Sequence, residues 1–232
     1  MSLHIALIGY GRMGRAIDEL SSTYGCDVVE RLDVHNNVEG AGIDDARFAS
    51  VDVAIDFSIA AALATNLPKL AKLGVNLVVG TTGWNADEGA MKQVVEDTGI
   101  GMVHAANFSI GVNVFQAIVE RAATLFERYD DVGAWIHEGH HAAKVDAPSG
   151  TALALEATMR EAGYMHGIDV SSTRAGTMPG THTVGFDGPF ETITLTHTTR
   201  DRATFARGAL EAARWIKGKR GWFTMRDVLG LK

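Results

Sequence analysis

Residues 3–14 read Leu-His-Ile-Ala-Leu-Ile-Gly-Tyr-Gly-Arg-Met-Gly, and this stretch decides the fold. Leu3–Ile8 is a short apolar run, which predicts a buried strand. A Gly-x-Gly-x-x-Gly loop follows it, and a helical pattern covers residues 15–22. Residues 28–32 predict a second strand, which ends at Asp33. A strand, a glycine loop, a helix, a strand and a terminal acid in this order indicate a dinucleotide-binding unit.

The glycines of this loop have different tasks in such a unit. Gly9 permits the tight turn, Gly11 lets a pyrophosphate approach the backbone, and Gly14 lets the helix pack on the strand. Asp33 lies about twenty residues beyond the loop, where a carboxylate accepts hydrogen bonds from the adenosine ribose. We therefore expect these residues to bind a nucleotide, together with the rest of the loop: Tyr10, Arg12 and Met13.

Strand and helix patterns continue to alternate along the next part of the chain. We predict further strands at residues 53–57, 76–79 and 100–104. Pro68 should kink or break the helix after the first of them, and Asn85 can cap a helix that runs to about residue 98. This alternation predicts a parallel sheet with right-handed crossovers, so the fold class is α/β with a Rossmann-type domain.

Two turns follow strands of this predicted sheet, at the edge where parallel sheets bind ligands. One reads Gly-Thr-Thr-Gly over residues 80–83, and the other reads Ala-Ala-Asn-Phe-Ser over residues 105–109. Ordinary turns between strand and helix would look the same at any single residue. The candidates for binding the cofactor here are Gly80, Thr81, Thr82, Ala105, Ala106, Asn107 and Phe108.

The pattern changes after Ser109. A long helical stretch, a strand-like run and another helix precede a strand-rich region, where residues 181–186 and 190–198 form a hairpin-like pair with one covered face. Residues 204–217 are helical again. We therefore predict an α+β substrate and oligomerisation domain inserted into the first domain. The predicted boundaries are 1–107 plus 202–232 for the dinucleotide-binding domain and 108–201 for the inserted one.

Residues 138–152, Glu-Gly-His-His-Ala-Ala-Lys-Val-Asp-Ala-Pro-Ser-Gly-Thr-Ala, carry most of the recognisable chemistry. His140 and His141 supply imidazoles, the side chains suited to proton transfer, and Lys144 supplies a cation. Gly150 and Thr151 open a predicted helix, whose first N–H groups can bind an anion. A surface histidine or lysine is often only solvated, and Ser-Gly-Thr is often only a cap. Together, however, these groups indicate a pocket for a small anion that must be protonated.

Composition narrows the class of protein. A chain of 232 residues with 46% hydrophobic residues is not disordered, and its formal charge of −7 argues against a nucleic-acid partner. The single cysteine, Cys26, can form neither an internal disulfide nor a thiolate metal site. The sequence shows no run long enough to span a bilayer and no signal-peptide pattern at its start. We expect a cytoplasmic protein that binds no metal, nucleic acid or membrane.

The chain resembles the 4-hydroxy-tetrahydrodipicolinate reductase family, the older dihydrodipicolinate reductases of bacterial lysine and diaminopimelate synthesis. The resemblance covers nearly the whole length, and the segment 138–152 looks like the most diagnostic motif of that family. The glycine loop is one residue shorter than in many members, and no basic residue follows Asp33 in Val-His-Asn-Asn. Further matching motifs are Asp56-Phe57-Ser58, Gly111-Val112-Asn113, Arg174-Ala175-Gly176, Gly180-Thr181-His182, Thr196-His197 and residues 225–231.

The resemblance implies an activity and roles for residues. A hydride from NADH or NADPH would reduce a cyclic dicarboxylic imine, with loss of water, to tetrahydrodipicolinate. His140 would be the acid and Lys144 its cationic partner, while His141 would contact the substrate. Gly150 and Thr151 would hold a substrate carboxylate. The family also implies a homotetramer, held by the strand-rich part of the inserted domain.

Two other functions share part of this pattern. Another dehydrogenase, acting on aspartate or a related amino acid, would share the glycine loop. It would have no reason to carry His-His-x-x-Lys followed by Pro-Ser-Gly-Thr. A non-catalytic nucleotide sensor or scaffold would also keep the glycine loop, but it would be free to lose His140 and Lys144.

Overall fold

A computed structural model describes residues 2–231, which divide into two compact units. Unit 1 comprises the described residues up to Ile110 and those from Arg202 onward, and unit 2 is Gly111–Asp201. The first break follows Ile110, whereas the sequence pattern predicts it after residue 107. The residues between stay with unit 1, because Phe108 packs in its core and Ser109 Oγ lies 3.1 Å from Thr204 Oγ1.

The regular elements are numbered along the described chain. The strands are β1 (Leu3–Ile8), β2 (Cys26–Leu32), β3 (Val53–Asp56), β4 (Asn76–Val79), β5 (Gly101–His104), β6 (Gly133–His140), β7 (Ile168–Arg174), β8 (Gly180–Asp187), β9 (Thr192–Thr199) and β10 (Gly221–Thr224). The α-helices are α1 (Arg12–Ser21), α2 (Asp45–Phe48), α3 (Ala60–Lys72), α4 (Glu88–Thr98), α5 (Ile110–Phe126), α6 (Gly150–Glu161), α7 (Ala203–Ile216) and α8 (Met225–Leu229). Within residues 2–231, no helix combines the length and the apolar character needed to cross a bilayer.

Unit 1 is a parallel sheet with the strand order β10-β5-β4-β3-β1-β2. Alternate residues of β1 point to opposite faces: Ile5 and Leu7 belong to one buried cluster, Ala6 and Ile8 to another. Both faces are therefore covered, as in doubly wound α/β folds. The predicted Rossmann-type sheet is confirmed. Helix α7 packs on α1 and on strands β3, β4 and β5, so the predicted C-terminal helix belongs to this unit.

Two local predictions in unit 1 were wrong. Pro68 lies inside α3, which is one helix without a break. The buried stripe that includes Leu63 and Leu67 holds the helix on the sheet, while Ala64 and Pro68 face solvent. Water can therefore hydrate the Ala64 carbonyl that Pro68 leaves without a donor. Asn85 does not cap α4, because a short 3₁₀ turn over residues 85–87 precedes that helix.

Unit 2 is a mixed sheet with the order β7-β6-β8-β9. Strands β6 and β7 are parallel, whereas β6/β8 and β8/β9 are antiparallel, which confirms the predicted hairpin. Ile136, Val184 and Phe186 pack with apolar residues of α5 and α6 to form the core. The polar sequence of β7, Ile-Asp-Val-Ser-Ser-Thr-Arg, carries little strand signal and was missed. Strand β10 was also missed, because its four residues are only half-buried and form no apolar run.

Candidate active site

The glycine loop after β1 has the geometry of a phosphate cradle. Gly9 has a φ of +88°, and a Cβ there would lie 2.4 Å from the Phe57 carbonyl oxygen. A Cβ on Gly14 would lie 2.6 Å from the Gly9 carbonyl oxygen, so only glycine fits at either place. A Cβ on Gly11 would have no heavy atom within 4 Å, and α1 begins at the next residue without a side-chain cap. The first N–H groups of α1 are thus available to an anion.

The other predicted cofactor-binding residues lie at the same edge of the sheet. Asp33 follows β2, residues 80–82 follow β4, and residues 105–108 follow β5. Because parallel strands end at one edge, the structure brings these turns together around the carboxyl end of the sheet. The Phe57 ring links two of them. A Cβ on Gly80 would lie 2.1 Å from its Cε1 atom, and its centroid lies 5.7 Å from that of Phe108.

Asp56, at the end of β3, organises these turns but was not among the predicted site residues. Its carboxylate accepts hydrogen bonds from Thr81 Oγ1 (2.7 Å), Ser58 Oγ (2.6 Å) and the Ser58 N–H (2.9 Å). Burial raises the pKa of Asp56, and these hydrogen bonds oppose the increase. The Thr81 hydroxyl is buried in this network, so Thr81 positions its turn through Asp56.

The loop after β2 and the residues beside it bear on the choice of cofactor. The Asp33 carboxylate accepts a hydrogen bond from the His35 N–H at 2.9 Å, and this bond stabilises the loop. Arg31 donates to both oxygens of Asp18, from Nε at 2.6 Å and from Nη2 at 2.7 Å. Tyr10 of the glycine loop also donates to Asp18, at 2.5 Å. The charge of Arg31 is therefore paired, whereas Arg12 is exposed.

The candidate catalytic histidine of unit 2 belongs to a buried network. His140 ends β6, and its Nδ1 is hydrogen-bonded to Oε2 of Glu138, whose side chain is 0% exposed. Arg174 Nη2 donates to Glu138 Oε1 at 2.6 Å, and the Ser149 N–H donates to the same oxygen at 3.2 Å. The network ties β6, β7 and the start of α6 together. Glu138 and Arg174 were noticed only as parts of matching motifs.

A second histidine, His182 of β8, lies beside His140. The ring centroids are 5.2 Å apart in an edge-to-face arrangement, and His182 Nε2 lies 3.1 Å from Ser149 Oγ. Burial, with a contribution from the charge of His140, lowers the pKa of His182 to about 4. Burial also lowers the pKa of His140, and the hydrogen bond to Glu138 opposes that decrease. His182 is thus neutral near pH 7, which favours a structural partner for Ser149 over a proton donor.

The remaining predicted residues lie in the loop after β6 and at the start of α6. Lys144 Nζ donates to both carboxylate oxygens of Asp146, at 2.6 Å and 2.8 Å. This contact, with a contribution from the N–H of Gly150, lowers the pKa of Asp146. An internal carboxylate therefore lies where the sequence predicted a substrate carboxylate. His141 and Gly150 are exposed, and Thr151 is half-buried.

Glu138, His140 and His182 could in principle be considered as a metal site, since one donor atom from each lies within 4.8 Å of the others. The donors are already engaged, however. Arg174 places a guanidinium on Glu138, Ser149 contacts His182, and Glu138 holds the Nδ1 proton of His140. A cation beside the carboxylate opposes a second cation. The cluster is therefore described better as a hydrogen-bonded network.

The low pKa of His182 predicts a loss of stability in acid. An unfolded histidine takes up a proton below about pH 6.5, whereas folded His182 resists protonation down to about pH 4. The folded state should therefore lose about 3 kcal/mol of unfolding free energy as the pH falls across this interval. Glu138, whose pKa is lowered to about 2, adds its own loss as the pH falls from about 4.5 towards 2. We expect His182→Gln, whose amide can reach Ser149, to remove the part of the acid loss that His182 contributes. His104, His140 and His197, whose pKa values burial also lowers, keep their own parts.

Urea unfolding above pH 6.5 and near pH 4 measures the effect. His166→Gln is the matched control, because His166 also lies in unit 2 but is half-exposed at the surface. The control should keep the pH dependence of the wild type. An equal acid loss in the wild type and in His182→Gln would contradict the assignment.

Comparison with known proteins agrees with this geometry. Family models for the N-terminus and the C-terminus of dihydrodipicolinate reductase match residues 3–108 and 111–229. The 4-hydroxy-tetrahydrodipicolinate reductase of Christiangramia forsetii is 36% identical over 98% of both chains. The enzyme of the same name from Methanocorpusculum labreanum is 43% identical over 78% of this chain and 76% of its own.

A solved structure shows the same fold. Dipicolinate-bound dihydrodipicolinate reductase from Paenisporosarcina sp. TG-14 superposes with a TM-score of 0.81 over 97% of this chain and 98% of its own, at 21% sequence identity. At that sequence identity the superposition shows the fold alone. The two family models and the relatives above show the family. The chain belongs to the dihydrodipicolinate reductase family and is an oxidoreductase that uses NAD(P)H.

Proposed function

We propose that this chain reduces 4-hydroxy-tetrahydrodipicolinate to tetrahydrodipicolinate in the biosynthesis of lysine and diaminopimelate, with His140 as the proton donor. The assignment of His140 as the acid rests on one observation, the hydrogen bond that holds its imidazole ring. His140 keeps one ring nitrogen on the buried Glu138 carboxylate, and Lys144 and the first turn of α6 follow within the same segment. The names of the relatives supply the substrate.

The fit of a nicotinamide nucleotide rests on unit 1. Gly9 and Gly14 leave no room for a side chain, while Gly11 opens onto free space at the N-terminus of α1. These backbone groups would hold the pyrophosphate, and Asp33 would bind the adenosine ribose. The turns at residues 80–82 and 105–108 would surround the nicotinamide end. When bound, the nucleotide supplies the hydride and leaves oxidised.

The residues of unit 2 handle the proton and the carboxylates. The substrate ring gains one hydride and one proton and loses one water, so an acid must deliver that proton as negative charge develops on the ring nitrogen. His140 is placed to do this from Nε2, because Nδ1 is committed to Glu138. Lys144 and the N–H groups of Gly150 and Thr151 bind a substrate carboxylate, and His141 contacts the substrate. The Asp146 carboxylate leaves Lys144 when the substrate binds.

Two alternatives fit the residues less well. An amino-acid dehydrogenase would need the nucleotide cradle but has no use for the complete segment from Glu138 to Thr151. A non-catalytic sensor would not require the paired Glu138 and His140. A family match that extends through residues 111–229 argues against both.

An absorbance assay of NADH oxidation tests the function directly. The substrate is the condensation product of pyruvate and aspartate semialdehyde, supplied by the preceding synthase. We expect oxidation that depends on both precursors, and no oxidation with oxaloacetate and ammonia. Activity only with oxaloacetate and ammonia would select the aspartate-type dehydrogenase, and inactivity with both would select the sensor.

The cofactor site predicts that the protein uses NADH at least as readily as NADPH. Asp33 repels a 2′-phosphate, and Asp18 pairs the charge of Arg31 that could otherwise attract it. We expect Asp33→Ser to raise kcat/KM for NADPH relative to NADH by about tenfold or more, since a close like charge is removed. Asp27→Ser is the control, because Asp27 is an exposed aspartate on β2, the strand that Asp33 follows. A strong NADPH preference in the wild type would contradict the prediction and implicate Arg12.

Assembly as a homotetramer through unit 2 is also part of the proposal. The face of its sheet away from α5 and α6 carries threonines paired across strands, such as Thr183 and Thr196, whose hydroxyl oxygens lie 3.0 Å apart. Strand β9 has no charged residue. On this face the β8–β9 hairpin is rich in hydroxyl groups, and its charged residue is Asp187 at the end of β8. Such a surface suits contact with a copy of itself, because few like charges oppose each other. The number four comes from the family resemblance.

Light scattering at micromolar concentration should give a tetrameric mass. Thr196→Glu should lower that mass, because the exchange places a like charge on every copy of the face. Thr65→Glu, at an exposed position of α3 in unit 1, should leave the mass unchanged. A monomeric wild type would refute the proposal.

A cytoplasmic location completes the proposal. It rests on the single cysteine, Cys26, which is buried and remains a free thiol. Proteins of oxidising compartments more often carry paired cysteines.

A further inference from the structure

We infer that Glu138 is a positioning residue for the reduction: its buried carboxylate fixes the ring of His140 so that Nδ1–H points inward and Nε2 faces the substrate. This inference rests on the proposed function, because it assigns a partner to the proposed acid. Glu138 itself has no access to a substrate, since its side chain is 0% exposed. It would act only through His140.

The strand register explains why the two side chains meet. Glu138 and His140 are two residues apart on β6, so both point to the same face of the sheet. The neighbouring strands bring the other members of the network. Arg174 of β7 lies opposite His140, and His182 of β8 lies opposite Glu138. The arrangement is set by regular secondary structure, which holds a side chain more tightly than a loop does.

The Glu138 carboxylate remains ionised although it is buried. Burial raises its pKa, but hydrogen bonds from Arg174, Ser172 and His140 outweigh that increase and bring the pKa to about 2. The Arg174 guanidinium supplies the compensating charge at 2.6 Å. An ionised carboxylate can only accept hydrogen bonds, so the proton shared with His140 belongs to Nδ1 of the ring. The tautomer of neutral His140 is thereby fixed.

The contact with Glu138 also favours the protonated form of His140, which is the form that the reaction needs. Burial disfavours the protonated form of His140, and Lys144 and Arg174 disfavour it further through their positive charges. Glu138 alone among these groups favours the imidazolium. The Nε2 atom has room in front of it, because the residue there is Gly180, where a Cβ would lie 3.0 Å from Nε2. Glu138 therefore opposes the decrease in the His140 pKa, and it leaves Nε2 as the atom from which the imidazolium presents its proton.

Glu138→Gln tests the role, because the amide keeps the shape of the side chain but loses its charge. We expect kcat to fall by about 10–100-fold, with little change in KM for NADH. The descending limb of the kcat–pH profile should also move to lower pH by about one unit or more, because the imidazolium loses its counter-charge. Asp169→Asn, an exposed carboxylate on β7, should change neither quantity. An unchanged pH profile in Glu138→Gln would overturn the inference.

A double-mutant cycle separates positioning from a general structural effect. If Glu138 acts through His140, adding Glu138→Gln to His140→Gln should cause no further loss of kcat. Losses that multiply would show that Glu138 acts independently of His140, which would overturn the inference. Thermal unfolding of each variant establishes that the proteins compared are folded.

A measurement on the wild type needs no variant and no substrate. Nitrogen-15 NMR of labelled histidine should show neutral His140 protonated on Nδ1, the tautomer less favoured in water. A neutral ring protonated on Nε2 would overturn the inference even if the reductase assay succeeds. Conversely, an inactive wild type with the Nδ1 tautomer would defeat the proposed function and leave the Glu138–His140 contact in place.

Discussion

His140→Gln should lower kcat by about 10²–10⁴-fold, the contribution expected of a general acid. Glutamine preserves a polar side chain of similar reach but has no group that can deliver a proton near neutral pH. Neither the glycine loop nor Asp33 is altered, so the NADH dissociation constant should barely change. Steady-state kinetics with the condensation product, together with a fluorescence titration of NADH, measure both quantities.

Variants of two other residues in the same segment separate effects on kcat from effects on KM. Lys144→Ala should lower kcat at least as much as His140→Gln and should also raise KM, because it removes both the cationic partner of His140 and the charge that holds a substrate carboxylate. Thr151→Val should mainly raise KM, since the backbone N–H survives while the hydroxyl is lost. His4→Gln and Lys72→Ala, in unit 1, are the matched controls and should leave kcat near that of the wild type.

Near-normal kcat in both His140→Gln and Lys144→Ala would remove this segment from the chemistry. In that case the hydrogen bonds of Glu138 with Ser149 and Arg174 would make it a structural turn that joins β6, β7 and α6. A loss confined to KM would instead place Lys144 in substrate binding alone.

Unit 1 could be predicted from local signals, because each of its parts has a short-range cause. Short apolar runs such as Leu3–Ile8, followed by a glycine, indicate buried strands, and the glycine spacing predicts the turn that follows. The exceptions show where local signals fail. Pro68 is tolerated because tertiary packing holds α3 and solvent takes the freed carbonyl. Strand β10 has four half-buried residues and is defined mainly by its pairing with β5.

The candidate site could be predicted only in part, for a similar reason. His140, Lys144 and the start of α6 are close in the sequence, so their convergence was visible there. Arg174 and His182 reach the site through strand register, which depends on pairings across tens of residues. Their side chains have no local signature that separates them from ordinary surface residues. The pairing of Lys144 with Asp146 was also invisible, since the sequence did not show which way that lysine points.

The glycine loop supports a second prediction with a large effect. Alanine in place of Gly9 should destabilise the fold, whereas alanine in place of Gly11 should weaken NADH binding. Gly9→Ala should lower the unfolding free energy by about 3 kcal/mol or more. A φ of +88° is costly for any residue with a Cβ, and that Cβ would lie 2.4 Å from the Phe57 carbonyl oxygen. Gly25→Ala isolates the conformational part, because φ is +68° there but no heavy atom lies within 4 Å of the added Cβ. It should cost only about 1–2 kcal/mol.

Gly11→Ala should leave the unfolding free energy within about 0.5 kcal/mol of the wild type, because φ is −86° and the Cβ meets nothing within 4 Å. The same free space is where we place the pyrophosphate, so NADH affinity should fall by about tenfold or more, the equivalent of about 1.4 kcal/mol. Urea unfolding and NADH titration on the three variants separate the two effects. If Gly11→Ala bound NADH as tightly as the wild type, the pyrophosphate would have to lie elsewhere. The open side of Gly11 would then be ordinary surface, and the nucleotide cradle would have to be sought among the turns after β4 and β5.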